Sequence, residues 1–238
     1  MKWRLFVANA PKPHFHRYAE VSVNRHQAIW NARFEKVLRG EYTLVGEPWL
    51  ERWLKLVPQG ENMRALDVGC GSGHNTRLLV EHGFEVTAID FSERALELCK
   101  REAPRAHMEL ADIRDGLPIA GSHFDLIVAD LSLHYFSWEL TRTIVSDIAN
   151  GLVPEGLFAA RFNSTNDENY GSGSDEPVPR ESNLFIVEGI EKRFFTEGCL
   201  NSLFGPPWRT VSLVEKTSLR FGPPKVLWEL VATKIVAS

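Results

Sequence analysis

Apolar positions along the chain follow two periods, and the switch between them divides the sequence. Ile29, Trp30, Phe34, Val37 and Leu38 recur at three- and four-residue steps, so they share one face of a helix that Gly40 ends. A second helix is expected from Pro48 to Val57, with Pro48 in its first turn and Pro58 just beyond. Residues before about position 22 show no clear period, are broken by Pro11 and Pro13, and read as an arm or short edge element. From Met63 the pattern changes to short apolar strands alternating with helices. The expected strands are Arg64 to Val68, Glu85 to Ile89, Ala106 to Ala111, Phe124 to Ala129 and Leu157 to Phe162. Helices are expected at His74 to His82, Ser92 to Ala103 and Trp138 to Leu152, ended by Gly83, Pro104 and the Pro154–Gly156 segment.

Strands separated by helices pair in parallel through right-handed crossovers. A run such as Leu126-Ile127-Val128, apolar on both sides, is buried on both faces. The expected fold is therefore an α/β, doubly wound, mostly parallel sheet with N-terminal helices. Residues 163–182 are rich in Asn, Ser, Gly, Asp, Glu and Pro, and form a long loop that is either functional or disordered. Beyond it lie a short apolar stretch (Leu184 to Val187), a helix (Thr196 to Phe204), and two β-rich runs, Arg209 to Leu219 and Lys225 to Thr233. The runs are joined by Phe221-Gly222-Pro223-Pro224 as an antiparallel hairpin.

Composition changes this picture little. The 238 residues suffice for one large α/β domain, and 44% hydrophobic with 24% charged residues excludes disordered, collagenous and coiled-coil classes. A net charge of -4 gives no general attraction to nucleic acid or an anionic membrane. No apolar run approaches the roughly 20 residues that span a bilayer. Met1 to Ala10 has no cleavage-site pattern, so a cytoplasmic protein is expected. Cys70, Cys99 and Cys199 match no zinc spacing, and the scattered histidines form no ligand set, so no metal is expected.

The decisive segment is Leu66-Asp67-Val68-Gly69-Cys70-Gly71-Ser72-Gly73, lying after a strand and before a helix. Glycines there allow a tight turn and close approach of a ligand, and the helix behind offers unpaired N–H groups. The spacing is Gly-x-Gly-x-Gly rather than that of a dinucleotide site. Asp67 at the strand end would repel a pyrophosphate and welcome an ammonium group. Asp90 ends the next strand, where a carboxylate can accept both ribose hydroxyls. Asp112 ends the third and is placed to accept from an adenine amino group, with Ile113 against the ring.

In these features the chain resembles the class I S-adenosylmethionine-dependent methyltransferases. Leu66 to Gly73 is similar to their first motif, Val86-Thr87-Ala88-Ile89-Asp90-Phe91-Ser92 to the second, Ala111-Asp112-Ile113 to the adenine motif, and Phe124 to Asp130 to the fourth-strand motif. The resemblance covers about residues 60 to 165, and the family's closing antiparallel strands match the C-terminal hairpin. It implies a seven-stranded Rossmann-like sheet, S-adenosylmethionine as cofactor and S-adenosylhomocysteine as product. The implied cofactor contacts are Asp67, Gly69, Cys70, Gly71, Gly73, Asp90, Phe91, Ser92, Asp112, Ile113, Asp130 and Leu131. One domain over 1–238 is expected, with a helical cover (1–60), a cofactor core (61–165), and an acceptor-side loop and hairpin (166–238).

The fold does not choose the acceptor. Strand four leads into Leu131-Ser132-Leu133-His134-Tyr135-Phe136, without the prolines of common nucleic-acid amino methylation sites. His134 is a candidate general base, substrate ligand or packed wall residue. Arg161 is a candidate for orienting an anionic acceptor or the polar loop, or for an ordinary ion pair. Asn163, Asn166 and Tyr170 are weaker candidates. Trp30, Arg33, Trp49 and Trp53 are candidate wall residues, or core. Some resemblance to thiopurine- and tellurite-resistance-type methyltransferases puts small heteroatom acceptors in view. The expected partner is a small-molecule acceptor, not nucleic acid. A non-catalytic S-adenosylmethionine-binding module and an NAD(P)-dependent oxidoreductase remain the alternatives.

Overall fold

The computed structural model describes residues 15–58, 60–119 and 123–235, with side chains from residue 25 onward. The described residues open with helix α1 (Phe15–Leu38), followed by a six-residue 3-10 helix at Glu51–Leu56. Strands β1 (Arg64–Val68), β2 (Glu85–Asp90), β3 (His107–Leu110), β4 (Phe124–Asp130) and β5 (Leu152–Asn163) then alternate with helices α2 (His74–Glu81), α3 (Glu93–Glu102) and α4 (Trp138–Gly151). A small hairpin, β6 (Leu184–Val187) and β7 (Ile190–Arg193), precedes helix α5 (Glu197–Leu203). The long hairpin β8 (Trp208–Ser218) and β9 (Lys225–Lys234) closes the chain.

Seven strands form one sheet in the order β3-β2-β1-β4-β5-β9-β8, while β6 and β7 pair apart. The first five are parallel, and β9 runs antiparallel to β5. Alternation along each strand sends side chains to opposite faces. Leu66, Ile127 and Phe158 pack with Ile144 and Ile148 of α4 on one face. Ala65, Leu126 and Leu157 pack with Trp49, Leu50 and Leu79 on the other. This two-sided core explains the continuous apolar strands. Ser92, Ser137 and Thr196 cap α3, α4 and α5 by accepting from the backbone N–H three residues on.

Four details differ from expectation. Helix α1 starts at Phe15, because no proline or glycine interrupts Phe15 to Ser22; the rest of the expected arm, residues 1–14, lies outside the described residues. The expected second helix is a six-residue 3-10 turn, ended where Val57 is extended ahead of Pro58. Strand β5 pairs from Leu152, five residues early, with a register shift beside β4 that accommodates Pro154 to Gly156. The expected apolar stretch from Leu184 to Val187 is one strand of a hairpin, β6, paired antiparallel with β7.

Helix α1 is fixed over the C-terminal end of β2. Gln27 Nε2 donates to the Phe91 carbonyl at 2.6 Å, and Ser92 Oγ donates to Asn31 Oδ1 at 2.6 Å. Among the described residues no helix is long and apolar enough to cross a membrane.

Candidate active site

A cavity of about 900 Å3 opens where the parallel strands end, covered by α1 on one side and by the 163–193 segment and the β8–β9 turn on the other. That is the crevice where open α/β sheets bind ligands. Its volume lies at the upper end of the ordinary range for ligand sites, roughly 300–1,000 Å3.

The glycine loop forms its floor. Gly69 and Cys70 N–H groups both donate to the Ile89 carbonyl, at 2.9 and 3.0 Å. Gly69 has φ 71°, and a Cβ there would lie 2.5 Å from Ser132 Cβ. Gly71, at φ 53°, faces the cavity, where the nearest atom to an added Cβ is on the Phe34 ring at 3.6 Å. Gly73 is turned away from the cavity; its missing side chain admits the Cys99 backbone at 2.8 Å, so α2 and α3 can meet.

Asp90 is buried beside this loop. Its Oδ2 accepts from Gly71 N–H at 3.0 Å and its Oδ1 from Ser92 N–H at 2.9 Å. Burial pushes its carboxyl up to about 6 against those bonds. Each oxygen keeps lone-pair capacity toward the cavity. Phe91, Ile113, Cys70 and Leu131 line the same end, as does Asp112. Arg114 clasps Asp112, donating from Nε at 2.8 Å and Nη2 at 2.5 Å. Burial would raise the Asp112 pKa, but Arg114 outweighs it and holds it below the ordinary value.

Four expected site residues do not line the cavity. Asp67 is buried beneath the loop, where Oδ2 accepts from Thr76 Oγ1 of α2 at 2.6 Å and Oδ1 has no partner. Burial pushes its carboxyl up to about 7. Strand alternation turns Asp67 under α2, away from the cavity lining where a direct contact with an ammonium group was expected, and there it braces the loop from behind. Gly73 acts in helix packing, as above. Ser92 turns inward to cap α3. Arg161 is 1% exposed and holds Asp130 and Glu47, with its guanidinium over the Trp49 ring at 4.8 Å. Of the roles weighed for Arg161, the structure shows the ion pair. Asp130 does reach the cavity wall, but with both oxygens held by Arg161 and Oδ2 also by Asn75 Nδ2 at 3.2 Å.

The opposite end has a different character. His134 is 3% exposed, its Nδ1 has no partner, and burial with the charges of Lys225 and Lys192 lowers its pKa well below the usual value. Its ring packs on Tyr135, which packs in turn on Trp30 of α1. Asn163, at the tip of β5, is 1% exposed with neither side-chain polar atom bonded. Around them stand Lys192 of β7, Arg220 and Phe221 of the β8–β9 turn, Lys225 at the start of β9, and Tyr170. Lys192, Arg220 and Lys225 were missed in the sequence. Among the described residues no His, Cys, Asp or Glu group is placed to hold a metal ion.

Residues 65–156 match the profile of a family described as a methyltransferase domain. Those residues thus form a methyltransferase domain, and the sheet and motifs around them are those of the class I, S-adenosylmethionine-dependent kind. Two relatives agree: malonyl-[acyl-carrier protein] O-methyltransferase of Enterobacter lignolyticus is 32% identical over 43% of this chain and 40% of that protein. Trans-aconitate 2-methyltransferase of Delftia acidovorans is 32% identical over 48% of this chain and 43% of that protein. The matched stretch thus spans less than half of either curated relative. In fold, this methyltransferase domain is similar to the 1,6-didemethyltoxoflavin-N1-methyltransferase of Burkholderia thailandensis, solved with 1,6-didemethyltoxoflavin and S-adenosylhomocysteine. The TM-score is 0.66 at 21% identity, covering 96% of this chain and 94% of that one.

Proposed function

We propose that the protein transfers the methyl group of S-adenosylmethionine to a small-molecule acceptor. The observation behind this reading is the buried Asp90 carboxylate at the tip of β2, bonded to the Gly71 N–H and still able to accept, inside a cavity with room for two ligands. On this reading Asp90 accepts from the ribose hydroxyls. Phe91 and Ile113 sandwich the adenine, with Asp112 near its amino group. Gly69, Cys70, Gly71 and Leu131 border the amino-acid end through their backbones. Asp67, Gly73 and Ser92 keep this surface in shape from behind, and the Arg161 ion pair fixes Asp130.

The cofactor supplies an electrophilic methyl on a sulfonium. The chain's work is to align the acceptor behind that carbon and to exclude water, which α1 and the 163–193 segment do as covers. The relatives' names divide on the acceptor: malonyl-[acyl-carrier protein] at an oxygen, trans-aconitate, and, for the fold neighbour, 1,6-didemethyltoxoflavin at N1.

Calorimetry with S-adenosylhomocysteine tests the reading. Saturable one-to-one binding is expected, and Asp90→Ala should weaken it by about 1.5–3 kcal/mol per lost charge-assisted bond. Labelled methyl should pass from S-adenosylmethionine to an acceptor from a small-molecule panel that includes trans-aconitate. Binding without any transfer would favour the non-catalytic module; no binding by the wild type would end both readings.

A further inference from the structure

Charge is unevenly spread around the cavity. Asp90 and Asp112 stand where β2 and β3 end, Asp112 already clasped by Arg114, whereas Lys192, Arg220 and Lys225 line the other side, together with the acids Asp130, Glu168 and Glu188. Most charges at this second end are already matched. Arg33 holds Glu188 at 2.7 Å, Lys225 Nζ donates to Asp167 at 2.7 Å, and Arg161 takes Asp130 and Glu47. Glu168 is exposed at the rim. The Lys192 side chain has neither hydrogen bond nor ion pair among the described residues, although it is only partly exposed; Glu188 and Asp167, the acids whose charges act on it, are held by Arg33 and Lys225. Arg220 reaches Asp130 Oδ2 only at 3.7 Å, an oxygen that Arg161 and Asn75 already occupy, and its buried Nε is unpartnered.

Cations crowded in a partly dry wall repel one another and have lost hydration; without an anion the arrangement is costly. Burial first, and then the repulsion, depress the Lys192 and Lys225 pKa values. Beside them the Asn163 amide, nine-tenths and more buried, offers a donor and an acceptor that nothing among the described residues uses. Buried polar groups without partners are rare enough that an unfilled site is their simplest account.

We infer that the acceptor is a small carboxylic acid, bound as its anion against Lys192, Arg220, Lys225 and Asn163, and methylated on a carboxylate oxygen. The inference rests on the methyl-transfer reading above. One carboxylate oxygen forms the new bond to the methyl carbon as the carbon–sulfur bond breaks, and that bond's electron pair stays on sulfur. The anion and the sulfonium neutralise one another, giving an ester and a thioether, and no proton moves. No general base is required, which fits an end of the cavity where His134 is held neutral. The ester has lost the charge that Lys192 and Arg220 held, so the product leaves more readily than the acid does.

The test uses the wild-type protein saturated with S-adenosylhomocysteine and a set of probes: succinate, fumarate, maleate, citrate and benzoate, the amides of succinate and benzoate, and phenyl phosphate. At least one acid should bind by calorimetry and its amide should not. Lys192→Gln and Arg220→Gln should each weaken that acid about tenfold to a hundredfold, the usual loss for one charge-assisted contact. Their S-adenosylhomocysteine affinity should stay within about twofold of wild type. With methyl-labelled S-adenosylmethionine, the label should be released as volatile methanol by mild base, as from an ester. Several outcomes overturn the inference: no acid binds, the amides or phenyl phosphate bind better, the variants bind the acid as wild type does, or the label is stable to base. A wild type that fails to bind S-adenosylhomocysteine refutes instead the methyl-transfer reading.

Discussion

Asp130 and Arg161 stand opposite each other in the parallel register of β4 and β5, and Arg161 Nε and Nη2 each donate to one Asp130 oxygen at 2.7 Å. The pair is buried, so its value lies in mutual compensation. Arg161→Met should destabilise the protein by about 3–5 kcal/mol in urea denaturation, because buried Asp130 keeps its charge with only Asn75 and the more distant Arg220 to meet it. Asp130→Leu combined with Arg161→Met should recover much of that loss, which a simple packing role for Arg161 would not allow. Burial alone would raise the Asp130 pKa; Arg161 overrides it and holds the group at about 2, below its ordinary 3.8. A depressed carboxyl stabilises above its unfolded pKa, so this contribution should be intact above about pH 4 and vanish as pH falls through about 2. In Arg161→Met that acid-range loss should be absent.

Two glycines of one loop should fail in different ways. Gly69→Ala places a Cβ 2.5 Å from Ser132 Cβ at φ 71°, so both clash and backbone strain apply. A loss of about 3 kcal/mol or more is expected, and adding Ser132→Gly should return the part due to the clash. Gly71→Ala meets nothing closer than the Phe34 ring at 3.6 Å. It should lose only the strain of a left-handed residue, about 1–2 kcal/mol. Its new methyl, however, borders the cavity, so S-adenosylhomocysteine affinity should fall about tenfold or more. Thermal denaturation and calorimetry on the two variants separate the effects.

The parallel sheet was legible because strands buried on both faces read as continuous apolar runs, and because a carboxylate at the tip of β2 has only the crevice to face. The direction of Asp67 was not legible. It depends on Thr76, nine residues later, reaching back from α2. Arg161 did leave a signal: a charge inside the run Ala159-Ala160-Arg161-Phe162 requires a buried partner, and register supplies Asp130. The β6–β7 hairpin also left one. Glu188 and Gly189 form its two-residue turn, both with positive φ, but Glu-Gly is a weaker turn signal than Asn-Gly and each strand has only four residues. Lys192, Arg220 and Lys225 lie on three separate segments, and no period along the chain connects them.

The buried Asp67 predicts an unusual pH dependence of folding. Burial raises its carboxyl to about 7 from an ordinary 3.8, despite the bond from Thr76. The folded state therefore binds the extra proton. This contribution is complete below about pH 4 and is lost as pH rises through about 7, at on the order of 1.4 kcal/mol per pH unit. Asp90, raised to about 6, acts in the same direction, so wild type must be compared with a variant that changes Asp67 alone. Asp67→Asn keeps an oxygen for Thr76 and removes the charge. In urea denaturation the ligand-free variant should differ least from wild type near pH 4 and exceed it increasingly up to pH 8, by roughly 1–4 kcal/mol. A wild-type excess near pH 8 would show that Asp67 is ionised at little cost.

His134 separates a base from a binding group. Burial, and then the charges of Lys225 and Lys192, lower its pKa well below the usual 6.5, with Asp130 the opposing influence. The ring is therefore uncharged throughout the neutral range, and kcat should show no limb from its titration near pH 6–7. If the acceptor arrives as an anion, His134 has no proton to remove. His134→Phe should raise KM for the acid that binds best by about tenfold, with kcat within about threefold, and His134→Gln should restore most of the KM by supplying a donor again. A general base would behave otherwise: kcat would fall by about 10²–10⁴, glutamine would not rescue it, and the pH profile would lose a limb. The KM-against-kcat split, read with the profile, decides whether the unpartnered Nδ1 of His134 belongs to the acceptor or only to the wall.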